Sequence, residues 1–261
     1  LDCTDIEVNY FNSNYEGAGV AHSKRSPCGM EEKARGYKLS TLRGVVNDSG
    51  IIEEIRFGPL NTHDLTLSEE MLRTSPVLKP GDILINDRGF LSRNLINYLK
   101  TIRQVDTYVP LRRSMESYQI AVQIAKENNN WTQHPIRRFK KQKICLVTSL
   151  GDYWNSDVSD SAIGNVNINA CVVWDQETDN YFVFATTDLS QSATNIIKTY
   201  SLRPEIEEDY RQLKDFWKIE DFKSTKLNVI SFHIVSVLFG YLFFQIYTML
   251  EDGEQYFGKS L

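Results

Sequence analysis

The chain has 261 residues, 41% hydrophobic and 24% charged, a composition typical of a globular protein and sufficient for one domain with an insertion, or for two. Its net charge of -5 argues against a protein that binds nucleic acid through overall positive charge, although basic residues can still cluster locally. The four cysteines, at positions 3, 28, 145 and 171, form no Cys-x-x-Cys pair, which argues against a zinc motif and favours reduced thiols over a disulfide framework.

The first 73 residues predict three strands, a loop and a helix. Alternating apolar residues favour the strands, clusters of Gly, Ser and Asn favour the loop, and a turn sequence at residues 47–50 joins two of the strands into a hairpin. The predicted elements are a strand at 1–8, a loop at 12–33, strands at Tyr37–Val46 and Ile51–Leu60, and a helix that Thr62 can cap and that runs toward Arg73.

A short apolar run followed by an acid stands out in Asp82–Phe90, which reads DILINDRGF. It predicts a short buried strand that carries Asp87 at its C-terminal tip, next to a turn at Gly89. Ligands of α/β sheets bind beyond the carboxyl ends of the strands, so Asp87 is a candidate functional residue. An in-phase apolar pattern then predicts a helix at Ser92–Ile102, and a further strand follows at Asp106–Leu111.

Residues 112–190 change pattern and are mostly β in character. They predict a helix at Met115–Asn128, strands at Lys143–Ser149, Val166–Trp174 and Tyr181–Thr187, and a turn at 175–180.

The apolar segment Val229–Leu250 is long enough to cross a bilayer. Polar residues interrupt it, at Ser231, His233, Ser236 and Gln245, and the chain has no partner segment of the same kind. A buried helix that packs along the face of the central sheet is therefore favoured over a membrane span.

Four polar side chains share one face of a predicted helix near the C-terminal third of the chain. At 100° per residue, Tyr200, Arg203, Glu207 and Lys214 lie at about 0°, 300°, 340° and 320°. The two cations and the phenol can hold phosphate oxygens, while the carboxylate can hold a divalent metal ion. A surface helix in which Glu207 pairs with Arg211 at i, i+4 accounts for the same residues without a ligand.

A third acid, Asp2, lies in the strand-like N-terminal stretch and completes a possible ligand set for Mg²⁺ or Mn²⁺ with Asp87 and Glu207. The Asp-x-Thr at Asp2, the Asp-Arg-Gly-Phe at Asp87 and the Y-R-E-K spacing from Tyr200 to Lys214 together resemble the insertion sequence 4 family of DDE transposases.

The resemblance covers nearly all of the chain, from Leu1 to about residue 252, and the Y-R-E-K spacing matches at all four positions. One departure is Pro204, where the family usually has tryptophan. A proline inside a helix removes a hydrogen bond unless it lies in the first turn, so Tyr200 can belong to a preceding turn.

The resemblance implies an α/β fold, with a ribonuclease-H-like mixed sheet flanked by helices and a β-rich insertion before the last catalytic helix. In that fold the first strand and the strand of Asp87 are neighbours, so Asp2 and Asp87 can meet at one end of the sheet. The implied regions are residues 1–111 for the first part of the catalytic core, 112–190 for the insertion, 191–252 for the second part of the core, and 253–261 for the tail.

The resemblance also implies the chemistry. Asp2, Asp87 and Glu207 would be the catalytic triad and would hold two Mg²⁺ ions about 3.5 to 4 Å apart, with Mn²⁺ able to substitute. The reaction would be nicking at the 3′ end of the transposon, followed by attack of the freed hydroxyl on target DNA. The DNA-binding residues implied are Tyr200, Arg203, Lys214 and Arg88. An ion pair with a neighbouring carboxylate is the alternative for Arg88.

The implied partners are the inverted-repeat ends of a transposon and target DNA, both double-stranded, bound by a homodimer in the cytoplasm or nucleoid of a bacterial-type cell, without a membrane. A non-catalytic DNA-binding remnant of a decayed insertion element is the alternative, because the chain starts at Leu1 and is expected to begin inside a longer protein. A ribonuclease-H-like nuclease unrelated to mobile DNA is a third hypothesis.

Two basic clusters are candidates for phosphate contacts. The first contains Lys33, Arg35, Lys38 and Arg43, and the second contains Arg137, Arg138, Lys140, Lys141 and Lys143. A solvated strand or loop face is the alternative for each cluster, and it accounts for the second cluster less well than for the first.

Overall fold

The computed structural model describes residues 1–22, 32–46, 49–157 and 163–250. Cys28, the turn residues Asn47 and Asp48 and the C-terminal tail from residue 251 lie outside these ranges. The chain divides into two compact units: the first contains Leu1–Met71 and Pro204–Leu261, and the second contains Leu72–Arg203.

The described strands and α-helices follow the chain in this order. The strands are β1 (Asp2–Val8), β2 (Gly19–His22), β3 (Lys33–Val46), β4 (Ser49–Pro59), β5 (Ile83–Ile85), β6 (Asp106–Pro110), β7 (Thr132–Gln133), β8 (Gln142–Val147), β9 (Asn169–Asp175) and β10 (Asn180–Thr186). The helices are α1 (Asp64–Thr74), α2 (Arg93–Tyr98), α3 (Glu116–Asn128), α4 (Gly151–Trp154), α5 (Ala193–Tyr200), α6 (Glu205–Asp215) and α7 (Leu227–Met249).

The sheet of the first unit is built around β3. This long strand pairs antiparallel with β1, β2 and β4. Both of its faces are buried in the middle of the strand: Tyr37 and Leu39 pack with α6 and α7, whereas Ser40 bonds to Ser68 on α1. Helices therefore flank the sheet on both sides.

The second unit contains a six-stranded mixed sheet in the order β5-β6-β10-β9-β8-β7. β5 and β6 are parallel, and the other neighbours are antiparallel. Successive side chains of β9 point to opposite faces of the sheet, and each face packs into a different apolar core. Val172 packs with α3 and α4, while Cys171 and Val173 pack with α5. The α/β architecture, with a mixed sheet flanked by helices, is confirmed.

Local predictions were wrong in two places. The loop predicted at residues 12–33 contains β2, a four-residue strand whose register places Gly19 opposite Gly36. His63 precedes α1 in place of the predicted cap Thr62, and its Nδ1 accepts a hydrogen bond from the Leu65 amide at 3.1 Å. Short elements with few apolar residues give little periodicity, which is why the sequence did not indicate β2.

The pairing expected between the strands of Asp2 and Asp87 is not observed. β1 belongs to the four-stranded sheet and β5 to the six-stranded sheet. β5 has only three paired residues, and their partner is β6 in parallel register. The strands predicted within residues 112–190 continue the sheet of β5 and β6, because β10 pairs with β6.

The prediction of a buried helix over Val229–Leu250 holds for one face only. Residues such as Ile234, Leu238 and Tyr241 on α7 pack into the core of the first unit. The opposite face is apolar and exposed, with Phe232 74% exposed and Phe239 58% exposed. Among the described helices, α7 alone is long and apolar enough to cross a membrane. This is weak evidence for a membrane span, because the core helix of a soluble protein can have the same length and composition.

Candidate active site

Asp87 lies two residues beyond the end of β5, as the sequence predicts. It caps a short 3₁₀ turn at Arg88–Phe90, and its Oδ1 accepts the Arg88 amide hydrogen at 2.6 Å. The carboxylate remains 43% exposed. The turn thus fixes the backbone around the acid and leaves oxygen lone pairs accessible to a ligand.

Arg203 reaches the same carboxylate within the second unit. Its Nη2 lies 3.4 Å from Asp87 Oδ2, and the arginine side chain is only 17% exposed. The long contact is weak as a hydrogen bond but is a close charge pair. A planar guanidinium beside an acid at a strand end is an arrangement that can hold a phosphate next to that acid.

Tyr200 ends α5, and its ring packs on Phe184 with centroids 4.7 Å apart. Arg88 is exposed, and its backbone carbonyl accepts a hydrogen bond from Arg112 Nη2 at 3.5 Å. Both side chains lie in the second unit. Their predicted contacts with DNA stay predictions.

The four residues predicted to share one helical face are divided between two helices. α5 ends at Tyr200, residues 201–204 form turns, and α6 begins after Pro204. Proline has no amide hydrogen and a fixed φ, here -63°, so it begins a helix readily and does not continue one. The prediction of a single continuous helix was therefore wrong.

α6 carries Glu207 and Lys214 in the first unit and packs against β1. Tyr210, one turn after Glu207, donates a hydrogen bond from its hydroxyl to the Asp2 carbonyl oxygen at 2.7 Å. Burial raises the pKa of Tyr210 well above its ordinary value, so the hydroxyl keeps its proton and remains a donor. Lys214 Nζ donates to the Asp5 carbonyl oxygen and lies 3.4 Å from the Glu220 carboxylate.

These contacts place the start of β1 against the face of α6 that carries Glu207. Residues three and four apart on a helix share a face, which applies to Glu207, Tyr210 and Lys214. The Asp2 carboxylate itself accepts the Cys3 amide hydrogen at 2.9 Å. Glu207 is exposed, and Asp2 is half-buried.

A buried polar network that the sequence did not indicate holds α6 from its other side. Arg43 on β3 donates from Nε to Asp209 at 2.7 Å, and its Nη1 lies 2.9 Å from Glu205. Asp209 also accepts the Tyr241 hydroxyl at 2.8 Å and the Gln245 amide at 3.3 Å. Burial raises the pKa of Asp209, and the charge of Arg43 opposes that rise.

The network corrects the interpretation of the first basic cluster. Lys38 is buried and pairs with Asp64, and Arg43 is only 13% exposed and pairs with two acids of α6. Neither side chain is placed to meet DNA. In the second cluster, Lys141 is exposed and pairs with Glu177.

The donor set is right in kind for a hard divalent cation, because Asp2, Asp87 and Glu207 are all carboxylates. Within the described ranges, however, no three or more His, Cys, Asp or Glu side chains form a group that could hold a metal ion. The three described cysteines, Cys3, Cys145 and Cys171, are buried free thiols. Burial raises the pKa of Cys3 to about 11, which makes it a poor metal ligand.

Comparison with known protein families decides the class. The chain matches the family model described as a transposase DDE domain over residues 12–243. The chain belongs to the transposase DDE domain family. The matched range includes Asp87 and Glu207 and begins after Asp2.

Membership in the transposase DDE domain family gives the chain a general transposase function. Transposases bind DNA, and DDE transposases generally use divalent metal ions. Comparisons with curated proteins and with solved structures gave no match. The more specific resemblance to the insertion sequence 4 family rests on the three sequence motifs at Asp2, at Asp87 and from Tyr200 to Lys214.

Proposed function

We propose that this chain is the catalytic domain of an insertion sequence 4 transposase that cuts and joins transposon-end DNA, with Asp2, Asp87 and Glu207 as the catalytic acids. One observation carries the proposal: Tyr210 and Lys214 fasten α6 to β1. A helix held in this way keeps Glu207 in a fixed register with Asp2 on the strand. Family membership supplies the general function to which this arrangement is fitted.

The three carboxylates would hold Mg²⁺, or Mn²⁺ in its place. Two such ions stabilise the attacking and leaving oxygens of a phosphodiester in an in-line displacement. The protein's own contribution is to orient the acids: the Arg88 amide fixes Asp87, the Cys3 amide fixes Asp2, and Tyr210 fixes the helix of Glu207.

The remaining residues of the proposal bind DNA backbone. Arg203 lies beside Asp87 and offers a planar fork to a phosphate. Arg88 is exposed on the turn that Asp87 caps. Tyr200 and Lys214 would also contact the DNA of the transposon end. A homodimer that pairs two inverted-repeat ends, and then captures target DNA in the cytoplasm, completes the proposal.

The test is nicking of a supercoiled plasmid that carries the DNA flanking the coding region, in Mg²⁺ and in Mn²⁺. We expect the wild type to nick, and Asp87→Ala and Glu207→Ala each to lower the rate at least about a hundredfold, because each removes a group that acts on the transition state.

Matched controls are available in each unit. Glu208→Ala removes the neighbouring acid of α6, which pairs with Arg211 at the surface, and Asp152→Ala removes an exposed acid of the second unit. Both should retain activity within a few-fold. Equal nicking by the wild type and both site variants would disprove the assignment of the triad.

A non-catalytic DNA-binding protein is the second candidate function. The observation that favours it is that the family match begins at residue 12 and so leaves out Asp2, one of the three proposed metal ligands. It predicts that the purified chain binds the flanking DNA without nicking it in either metal. The same plasmid assay, read together with a gel-shift measurement, separates the two candidates.

A further inference from the structure

A polar cleft lies in the second unit beside the turn of Asp87. Its volume is about 510 Å³, and six of its eight lining residues are polar or charged: Ser92, Arg93, Asn94, Arg112, Ser114 and Glu116. The lining contains two arginines and one glutamate, so the cleft carries a net positive charge. None of its lining residues is aromatic.

The sheet explains why this cleft adjoins the candidate active site. β5 and β6 are parallel neighbours, with Ile85 opposite Tyr108, so the segments that follow them leave the same edge of the sheet. Asp87 follows β5 by two residues, and Arg112 follows β6 by the same number. Arg112 Nη2 lies 3.5 Å from the Arg88 carbonyl oxygen, which ties the two segments together.

Three features of the cleft can attract an anion: Arg93, Arg112 and the start of α3. The Arg93 guanidinium lies 5.8 Å from the ring centre of the buried Trp154, whose indole N–H bonds to Asn97 at 2.8 Å. Arg112 is exposed. The thirteen-residue helix α3 begins at this cleft, and its N-cap residue, Met115, makes no side-chain capping bond, so the positive end of the helix dipole adds to the two charges.

We infer that this cleft binds the phosphate backbone of DNA next to Asp87. This role rests on the proposed function. Arginine forks bind phosphate oxygens in pairs, and serine and asparagine side chains donate to the same oxygens. The absence of an aromatic residue from the lining excludes stacking on a base. The inference concerns contacts with the backbone, which are independent of base sequence.

The experiment measures binding of a labelled random-sequence duplex by fluorescence anisotropy, in EDTA, from 50 to 200 mM KCl, so that no cleavage enters. Each lost phosphate contact should reduce the slope of log affinity against log salt by about 1, for every duplex sequence tested. We expect this reduction for Arg112→Ala and for Arg93→Ala. Arg113→Ala is the matched control, because Arg113 is exposed, bonds to Asn180 and lies outside the cleft.

Glu116→Gln gives a readout in the opposite direction. It removes the one acid of the cleft and should strengthen binding, which keeps the inference testable even if Arg93→Ala fails to fold. Equal slopes for the wild type, Arg112→Ala and Arg113→Ala, with unchanged affinity for Glu116→Gln, would overturn the inference. A wild type that binds no duplex at any salt concentration would instead overturn the proposed function.

Discussion

Arg43 illustrates how far a charged residue's role depends on its partners. Its sequence neighbourhood is basic and suggests a phosphate contact, but the side chain is 13% exposed and is paired with Asp209 and Glu205. Breaking a buried ion pair leaves an uncompensated charge, which costs far more than losing a pair at the surface.

The residue-scale prediction concerns this pair. Arg43→Met should lower the free energy of unfolding by about 3–5 kcal/mol, because it leaves the Asp209 carboxylate buried without its cation. Asp209→Asn should cost less, about 1–2 kcal/mol, because the amide oxygen can still accept the Tyr241 hydroxyl. Urea unfolding measures both. Arg211→Met, which breaks an exposed pair with Glu208 on the same helix, is the control and should cost under about 1 kcal/mol.

The pH dependence of Arg43→Met has a definite sign. Burial raises the folded-state pKa of Asp209 above its ordinary value of 3.8, and loss of Arg43 raises that pKa further. The folded variant therefore binds a proton before the unfolded chain does, and its stability relative to wild type should recover as the pH falls from 7 toward 3.8. A deficit that stays constant or grows over this range would contradict the assignment.

Other residues could be placed from sequence alone. Asp87 lies at a strand end as its DILIND context predicts, because an apolar run followed by an acid and a glycine turn is a local signal. The partners of Arg43 are 162 and 166 positions away, in Glu205 and Asp209, and no local pattern specifies contacts over such separations. The spacing of Ile206, Tyr210 and Leu213 did contain a signal for the buried face of α6.

At the scale of elements, periodicity predicted most helices and strands. The assumption that failed was that one helix runs without a break from Tyr200 to Lys214. The angular positions of Tyr200, Arg203, Glu207 and Lys214 assume one unbroken helix, and Pro204 makes two. The Y-R-E-K spacing thus covers the end of α5, a turn and α6. The arginine that approaches Asp87 comes from that turn.

α7 has two faces whose substitutions should differ in cost. Leu238 is 7% exposed and packs in the core, whereas its neighbour Phe239 is 58% exposed. Leu238→Ala should lower the free energy of unfolding by about 2–5 kcal/mol through the cavity it leaves. Phe239→Ala should cost under about 1.5 kcal/mol, because it loses mainly an edge contact with Phe243. Thermal unfolding followed by circular dichroism measures both, and comparable costs would show that the exposed face is covered.

At the scale of the whole molecule, the sheet pairings were the hardest feature to predict. The strands of residues 112–190 extend the sheet of β5 and β6, because Ala185 and Thr186 of β10 pair with Val109 and Tyr108 of β6, 76 and 78 positions earlier in the chain. Register between distant strands depends on matched faces and not on local composition. The predicted region boundaries at 111 and 190 stay predictions, while the compact units divide at Met71 and Arg203.

The central claim is that Asp2, Asp87 and Glu207 hold a divalent metal, and Mn²⁺ binding tests it without knowledge of the transposon ends. Titration of the purified chain, followed by the electron paramagnetic resonance signal of free Mn²⁺, should show binding by the wild type. The Mn²⁺ affinity should be at least about tenfold lower in Asp87→Asn and Glu207→Gln and unchanged in Glu208→Gln, because only the first two variants remove a proposed ligand. Identical Mn²⁺ affinities for the wild type and the two site variants would contradict the claim.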